Sequence, residues 1–313
     1  MSAIRTEQLR KTYGQVRALD GLTLTVEPGT IFGFLGPNGA GKTTTIRLLT
    51  GLAHPSGGRA WVADEDVAHS QKVAARIGYL PEEPAFYPWM TPVELLDHVG
   101  RLFGLPASER KSRTVQLLEH VGLAQASKRR IGGFSRGMRQ RLGLAQALIN
   151  RPQVLFLDEP VSALDPAGRK EVLEMISTFR GQCTVFMSTH ILDDVERICD
   201  TIGIINRGRL VVEAPQDELL ARYAVPAFEL ECVEGQEQAL QALAESLRNL
   251  PWVSSVTCNN HVTRVVVNDV AFARQALLHE VVRGGLALQR YEVVRPSLED
   301  VFLRLVSQEG GTT

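Results

Sequence analysis

Apolar and polar residues alternate in the first part of the chain and then gather into short unbroken apolar runs. Leu22, Leu24 and Val26 recur at every second position, which is typical of a strand with one buried face. A turn is predicted at 27–29, where the sequence reads Glu-Pro-Gly. The apolar run at 31–35 then predicts a strand that is buried on both faces.

Helical spacing follows this strand. Residues 44–50 predict a helix, and Gly51 is a suitable stop. Residues 84–150 are predicted to be mostly helical and to form a lobe inserted between two halves of a sheet. The apolar positions of this lobe fall in three segments: Leu95, Leu96, Val99, Leu102 and Phe103; Val115, Leu117, Leu118 and Val121; and 137–149.

Further short apolar runs predict the rest of an α/β domain. Strands are expected at 154–157 and 184–187, and a hairpin is expected at 202–212 with its turn at 206–208. Strands that alternate with helices favour a mostly parallel sheet covered on both faces. We expect this first domain to span residues 1–222.

The remaining residues, 226–313, predict a small α+β domain. The expected order is strand, helix, strand, strand, helix, strand, which is the ferredoxin-like pattern. These elements are predicted at 228–233, 236–250, 252–258, 262–267, 270–284 and 286–294. A last helix is expected from Ser297, and we predict a dimerisation or regulatory role for the domain.

Composition narrows the class of protein. The 313 residues are 44% apolar and 22% charged, and the net charge is -1, so we expect a folded protein and no nucleic-acid partner. No apolar run of about 18 residues occurs, and the N-terminus lacks a signal-peptide pattern. The four cysteines are scattered, which is typical of reduced thiols in a cytosolic protein.

A glycine-rich loop carries the strongest chemical signal. Gly36, Gly41, Lys42 and Thr43 fit the pattern G-x-x-x-x-G-K-[ST] between an apolar strand and a helix. Glycines let backbone N–H groups converge on phosphate oxygens, and the helix directs its positive end to the same place. We therefore expect the loop to bind the phosphates of ATP with Mg²⁺. The expected binding residues are Gly36, Asn38, Gly39, Ala40, Gly41, Lys42, Thr43 and Thr44.

Within this site, Lys42 should reach the β- and γ-phosphates, and the Thr43 hydroxyl should ligate Mg²⁺. The loop alone does not distinguish a kinase, a G protein and an ATPase. A glycine turn that binds nothing is the structural alternative.

Four more short motifs follow the glycine loop along the chain, and their order carries information about the family. They read Phe-Ser-Arg-Gly-Met-Arg-Gln at 134–140, Val-Leu-Phe-Leu-Asp-Glu-Pro at 154–160, Ser-Ala-Leu-Asp at 162–165 and Ser-Thr-His at 188–190. With the glycine loop, they resemble the ATP-binding-cassette (ABC) family across residues 1 to about 222. The resemblance implies a P-loop NTPase with a RecA-like core, an antiparallel β subdomain and a helical lobe.

The resemblance also implies catalytic roles. Asp158 would hold the Mg²⁺ shell, and Glu159 would polarise the attacking water. His190 would contact the γ-phosphate and help position Glu159. Taken alone, two adjacent carboxylates or one histidine after a strand can be ordinary surface residues.

Other implied roles depend on a second subunit. Ser135 and Gly137 would cap the γ-phosphate held by the opposite subunit, although Arg136 and Met138 depart from the usual Leu-Ser-Gly-Gly-Gln. Asp165 lies in the segment that would cross the interface between the two subunits. Ser135 alone is equally consistent with a helix cap.

Two further positions complete the predicted site. Tyr13 matches the aromatic that stacks on adenine, although a lone tyrosine is more often a packing residue. Glu82 follows Ile-Gly-Tyr-Leu-Pro at 77–81, where the family usually has Gln. Its carboxylate can still ligate Mg²⁺, and its charge near the γ-phosphate favours slower hydrolysis or altered coupling.

At the subfamily level, residues 135–141 and 295–302 resemble ATPases of the daunorubicin-resistance type. This resemblance implies that the chain is the ATP-hydrolysing subunit of an exporter and forms a homodimer or a dimer with a paralogue. It also implies that a separate permease holds the chain at the inner face of the cell membrane. The rivals are a non-transport ABC ATPase and an ATP sensor that seldom hydrolyses. A G protein is disfavoured because no guanine-reading Asn-Lys-x-Asp occurs.

Overall fold

The computed structural model describes residues 2–162, 164–223, 227–294, 298–299, 301–302 and 305. These residues form two compact units, Met1–Gln216 and Asp217–Thr313. The boundary predicted at 222–226 stays a prediction.

The first unit contains ten strands and seven α-helices among its described residues. In chain order they are β1 (Ile4–Tyr13), β2 (Val16–Val26), β3 (Ile31–Leu35), α1 (Lys42–Leu49), β4 (Gly57–Val62), β5 (Glu65–Asp66), α2 (Ser70–Arg76), β6 (Ile77–Leu80), α3 (Pro92–Leu102), α4 (Ala107–His120), α5 (Arg136–Ala147), β7 (Val154–Asp158), α6 (Pro166–Ser177), β8 (Thr184–Thr189), α7 (Leu192–Ile198), β9 (Thr201–Asn206) and β10 (Arg209–Pro215). Two short 3-10 helices lie at Ala124–Ala126 and Ile131–Gly133.

The central sheet has the order β10-β9-β3-β8-β7-β6, and all its pairings are parallel except that of β10 with β9. Its core is aromatic. Phe32 stacks on Phe186 with ring centroids 5.3 Å apart, and Phe34 and Phe156 contact the same ring. Because β3, β7 and β8 are parallel, their carboxyl ends meet at one edge of the sheet. The predicted parallel sheet is confirmed.

A second, antiparallel sheet has the order β2-β1-β4-β5. Strand β1 was not predicted, because a register shift between Thr6 and Leu9 interrupts its alternation. Gln8 there has a φ of 48°. The inserted lobe consists of α3, α4 and α5, as predicted. Thr91 caps α3 in a capping box with Glu94.

The second unit has the ferredoxin-like order that the sequence predicts. Its elements are α8 (Gln216–Tyr223), β11 (Ala227–Cys232), α9 (Glu237–Leu247), β12 (Val253–Asn259), β13 (Val262–Val267), α10 (Val270–Arg283) and β14 (Leu288–Val294), of which α8 begins at the last residue of the first unit. The four strands form an antiparallel sheet of order β12-β13-β11-β14. The predicted helix from Ser297 lies mostly outside the described residues.

Among the described residues, no helix is both long and apolar enough to cross a lipid bilayer.

Candidate functional site

The glycine loop joins β3 to α1 and presents the start of that helix. Gly41 precedes α1 with a φ of 110°, in the left-handed region that favours glycine. The helix begins at Lys42, two residues before the predicted start, because this glycine already turns the chain into it. Thr45 N donates to Gly41 O over 2.9 Å. The amides just before Thr45 belong to the first turn, whose N–H groups lack intrahelical acceptors and favour an anion.

Gly36 is required by close packing. A Cβ at this position would lie 2.4 Å from Ile205 O on β9, closer than any real contact. The loop is therefore held against the neighbouring strand, and its curvature depends on the missing side chain.

A cavity of about 280 Å³ lies over this loop. It brings together residues from distant parts of the first unit: Val16, Arg17, Ala18, Asn38, Gly39, Gly41, Lys42, Thr43, Thr44, Glu82, Glu159 and His190. Six of the eight predicted loop residues thus share one cavity with Glu82, Glu159 and His190. Gly36 and Ala40 belong to the same loop, and Ala40 is buried.

Glu159 lies between two basic side chains. Its Oε1 is 3.3 Å from Lys42 Nζ, and its Oε2 is 2.9 Å from His190 Nδ1. Lys42 also donates to Gly36 O over 2.8 Å. Only 8% of the Glu159 side chain and 6% of the Lys42 side chain is exposed, so this charge pair is shielded from water. A carboxylate held in this way is suited to accept a proton at a defined place.

The backbone at Glu159 is also unusual. Its φ of 47° lies in the left-handed region, which costs a non-glycine residue about 1–2 kcal/mol. The Glu159 N–H donates to Ser188 O over 3.1 Å and lies 3.2 Å from Ser188 Oγ. The neighbouring strand thus holds the strained residue, as is common at functional sites.

Asp158, Thr43 and Ser188 form a second cluster of oxygen atoms. Thr43 Oγ1 donates to Asp158 Oδ1 over 3.2 Å, and Ser188 Oγ donates to the same oxygen over 2.5 Å. Asp158 is buried. A hydroxyl and a carboxylate oxygen fit Mg²⁺, which is usually held by one or two protein ligands together with substrate phosphates. No cluster of three or more His, Cys, Asp or Glu side chains with metal-binding geometry occurs among the described residues.

Tyr79 on β6 lies near this cluster. Burial raises the pKa of its hydroxyl to about 12, and the charge of Asp158 adds to the shift. Tyr79 therefore stays neutral at physiological pH.

The residues predicted to act across a dimer, Ser135, Gly137 and Asp165, do not line this cavity. Ser135 caps α5 by accepting a hydrogen bond from Met138 N over 3.2 Å, and Asp165 caps α6 through Gly168 N over 3.1 Å. A Cβ at Gly137 would lie 3.2 Å from Leu164. Arg136, which departs from the family pattern, pairs with Glu83 over 3.5 Å. Within one chain, the segment 134–140, here called the signature segment, does not line the cavity over the glycine loop.

Tyr13 also does not line the cavity; its ring lies 4.8 Å from Lys11 Nζ. Val16, Arg17 and Ala18 line it instead, and sequence reasoning missed all three. The register that pairs Tyr13 with Val16 places these residues beside the loop. Gly14, with its φ of 55°, was the signal of this hairpin turn. Ser188 was likewise not predicted as a partner of Asp158.

Comparison with known families agrees with this site. Residues 19–162 match the ABC transporter family, and residues 215–306 match the family described as ATP-binding protein DrrA1-3-like, C-terminal domain. The two matches cover the glycine loop, the signature segment and the second unit.

Several relatives match along nearly the whole chain. An uncharacterised ABC transporter ATP-binding protein of Bacillus subtilis, YxlF, is 40% identical over 96% of this chain and 98% of its own length. The bacitracin transport ATP-binding protein BcrA of Bacillus licheniformis is 42% identical over 99% and 98%. The daunorubicin resistance ATP-binding protein DrrA2 of Streptomyces coeruleorubidus is 36% identical over 99% and 97%.

Solved structures support the fold. An ATP-binding subunit of an ABC transporter superimposes with a TM-score of 0.66 and 28% identity, over 71% of this chain and 93% of that one. The matched families, the relatives and this structure agree with the site geometry. The chain therefore belongs to the ATP-binding subunits of ABC transporters and is an ABC-type ATPase.

Proposed function

We propose that the chain is the motor subunit of an exporter and works as an ATP-dependent dimer on a separate membrane permease. One observation carries the dimer. Lys42, Thr43, Glu159 and His190 share the cavity, whereas the Ser135 segment of the same chain lies apart from it. A second copy, or a paralogue, would supply Ser135, Gly137 and Asp165 to complete each site. ATP would then hold the two subunits together.

In the proposed mechanism, Lys42 and the first-turn amides of α1 bind the β- and γ-phosphates. Glu159 accepts a proton from the water that attacks the γ-phosphorus, while the bond to the bridging oxygen of ADP breaks. His190, hydrogen-bonded to Glu159 in this structure, orients the carboxylate and contacts the γ-phosphate. Tyr13, with Val16 nearby, would contact the base.

Mg²⁺ would be held by Thr43 and Asp158, with Glu82 beside them, and would neutralise phosphate charge in the transition state. The oxygen donors described above fit that ion. Loss of the γ-phosphate removes the bridge between subunits, and the dimer reopens.

A groove beside Tyr79 supports the permease as partner. It has a volume of about 230 Å³ and lies between the core and the helical lobe. Its apolar lining includes Leu52, Val99 and Phe103, and 64% of Leu52 and 39% of Phe103 is exposed. An exposed apolar groove of this kind suits a short amphipathic helix. We propose that it receives a cytoplasmic helix of the permease.

The direction of transport is proposed from the relatives. Two of them are named for bacitracin transport and daunorubicin resistance. By analogy with these two relatives, the transport proposed for this chain is export of a drug-like or antibiotic molecule. The second unit would contribute to dimerisation or regulation, and deletion of 226–313 should weaken self-association or assembly with the permease.

Complementation between two inactive variants tests the dimer. Lys42→Ala should abolish phosphate binding, and Ser135→Arg should block the contact in trans. Each should be inactive alone. A mixture should recover part of the ATPase rate, because one site then combines an intact loop with an intact signature segment. No recovery, with both proteins folded, would contradict the shared site.

The permease is tested separately. A multi-helix membrane protein encoded beside this gene should raise the ATPase rate when reconstituted with the chain in vesicles. Leu52→Glu should abolish that stimulation and leave the basal rate unchanged. Equal stimulation of the wild-type chain and of Leu52→Glu by the membrane protein would show that the groove is not the contact.

A further inference from the structure

Each of the two proposed catalytic residues Glu159 and His190 is followed along the chain by a helix. Helix α6 starts at Pro166, with Asp165 as its cap, and α7 starts at Leu192, two residues after His190. The segment that leads into α6 begins at Glu159. The register of β7 with β8 brings Glu159 and His190 together, and the two helix starts are the next elements along the chain from each of them.

One ion pair joins these two helix starts, with a buried carboxylate and a guanidinium side chain that is 29% exposed. Arg169 Nε donates to Asp194 Oδ1 over 2.6 Å. Arg169 lies one turn into α6, and its N–H donates to Asp165 O over 2.8 Å. Asp194 lies in the first turn of α7, and only 1% of its side chain is exposed.

This pair is poorly suited to a purely stabilising role. Asp194 Oδ2 is buried and has no hydrogen-bond partner among the described residues. Burial raises the pKa of Asp194, Arg169 opposes the shift, and the charges of Asp193 and Glu159 add to it. An apolar pair of similar volume is often as stable as a buried ion pair, or more so. Burial of the Asp194 carboxylate costs free energy. A role in orienting the two helix starts explains its presence better than a contribution to stability does.

A second contact between the same helices offers a comparison. Arg197 of α7 lies 2.9 Å from Glu174 of α6, and the two side chains are 42% and 55% exposed. Exposed pairs of this kind contribute little to stability. Both ion pairs join α6 to α7, but only the pair Arg169–Asp194 lies at the helix starts. The pair Arg197–Glu174 is therefore a control for contact between the two helices.

We propose that Arg169 and Asp194 are positioning residues, which hold the start of α7 against the start of α6 so that His190 stays aligned with Glu159 during hydrolysis. The inference rests on the proposed roles of Glu159 and His190. Loss of the pair should lower kcat and leave ATP binding unchanged, because neither residue lines the phosphate cavity. Misplacement of a reacting group by about 1 Å can reduce a rate by about 100-fold.

The experiment compares Arg169→Met, Asp194→Leu and the double variant in the full-length chain. ATP Kd, kcat and the midpoint of thermal unfolding are measured for each. Arg169→Met should unfold at a lower temperature, because it leaves the buried Asp194 carboxylate without its partner. Asp194→Leu should lower the midpoint less, because 29% of the Arg169 side chain is exposed. The double variant should recover the midpoint and keep a low kcat. Glu174→Gln is the matched control on the same helices and should retain the wild-type kcat.

A double variant whose kcat returns to within about two-fold of wild type would overturn the proposal, since stability alone would then explain the pair. A loss of ATP affinity as large as the loss of kcat would also overturn it. Arg169→Lys provides a second measurement if a single variant does not fold, because it keeps the charge and should keep part of the rate.

Glu159→Gln is assayed in parallel. Unchanged hydrolysis in that variant would reject the proposed function itself, whereas its inactivity beside an active double variant would reject only this inference.

Discussion

The ammonium of Lys42 and the carboxylate of Glu159 lie 3.3 Å apart, and less than a tenth of either side chain is exposed. The pair joins the glycine loop to the end of β7. A residue proposed to bind phosphate is thus in direct contact with the residue proposed to activate water. The two proposed roles therefore belong to residues that share one contact shielded from water.

Removal of one member of this pair should destabilise the protein. Lys42→Met leaves the Glu159 carboxylate beside only His190, and loss of one partner of a buried pair costs about 3 kcal/mol. Lys42→Met combined with Glu159→Gln should recover most of that loss. Urea unfolding of ligand-free protein measures both values. Lys170→Met, at an exposed position 3.9 Å from Glu174, is the control and should change stability little. Equal destabilisation by the single and double variants would contradict the coupling.

Glu159→Gln should separate ATP binding from hydrolysis. The amide keeps the shape of the side chain but cannot take a proton from water, so kcat should fall by about 10²–10⁴-fold. ATP should still bind and should hold the protein as a dimer. Phosphate release gives the rate, and size-exclusion chromatography with ATP detects the dimer. Steady turnover by this variant would count against Glu159 as the base.

Much of the catalytic cluster could be predicted from sequence because it depends on strand ends. Lys42, Asp158 and His190 each follow an apolar strand, and parallel strands carry their carboxyl ends to the same edge. The parallel strands predicted there are present, and they bring these residues together. The position of these three residues at strand ends was thus enough to predict that they lie near one another.

Other features depend on long-range register and gave no local signal. Strand β1 buries Ile4, Thr6 and Leu9, whose spacing is broken by the bulge at Gln8, so neither strand nor helix periodicity fits it. Val16 is 68% exposed and reaches the cavity only through its hairpin. Such positions depend on which strand lies next to which, and a single sequence does not reveal that.

Gly36→Ala should damage the loop. The added methyl would lie 2.4 Å from Ile205 O, so the backbone must move, at a cost of about 1–3 kcal/mol. ATP affinity should fall with it, because the loop amides lose their alignment. Gly57→Ala is the control, since its Cβ would meet only the Arg10 side chain at 3.9 Å. Unfolding midpoints and nucleotide titrations measure the two effects. Wild-type affinity in Gly36→Ala would show that the loop tolerates the shift.

Thr43→Val should weaken the proposed Mg²⁺ site without changing the shape of the side chain. The hydroxyl is lost, so the Mg²⁺ concentration for half-maximal ATPase activity should rise by about 10–100-fold. Thr43→Ser keeps the hydroxyl and should stay near wild type. Chelation of Mg²⁺ should abolish hydrolysis in all three proteins. An unchanged Mg²⁺ requirement in Thr43→Val would exclude this hydroxyl as a ligand.

Asp97 links α3 to α4 and should make the helical lobe sensitive to acid. The hydrogen bond from Arg110 Nε, 2.7 Å long, lowers the pKa of Asp97; burial opposes the shift, and Arg101 supports it. Because the pKa of Asp97 is lower in the folded than in the unfolded state, its charge stabilises the fold at pH values above the unfolded pKa of about 3.9. This stabilisation is lost as the pH falls through the pKa of the folded state. Arg110 is mostly buried, but about a third of Asp97 is exposed, so solvent screening limits the effect.

Asp97→Asn should therefore destabilise the protein at pH 7 by no more than about 1 kcal/mol, and the difference from wild type should shrink as the pH falls below about 4. Urea unfolding of both proteins across this range measures the change. Asp193→Asn, on another helix of the same unit, is the control for the loss of a carboxylate. The sign is decisive: a difference that grows toward acid would mean that Asp97 has a raised pKa and that its charge is a cost to the lobe. A difference independent of pH would mean that the asparagine loses packing rather than the ion pair.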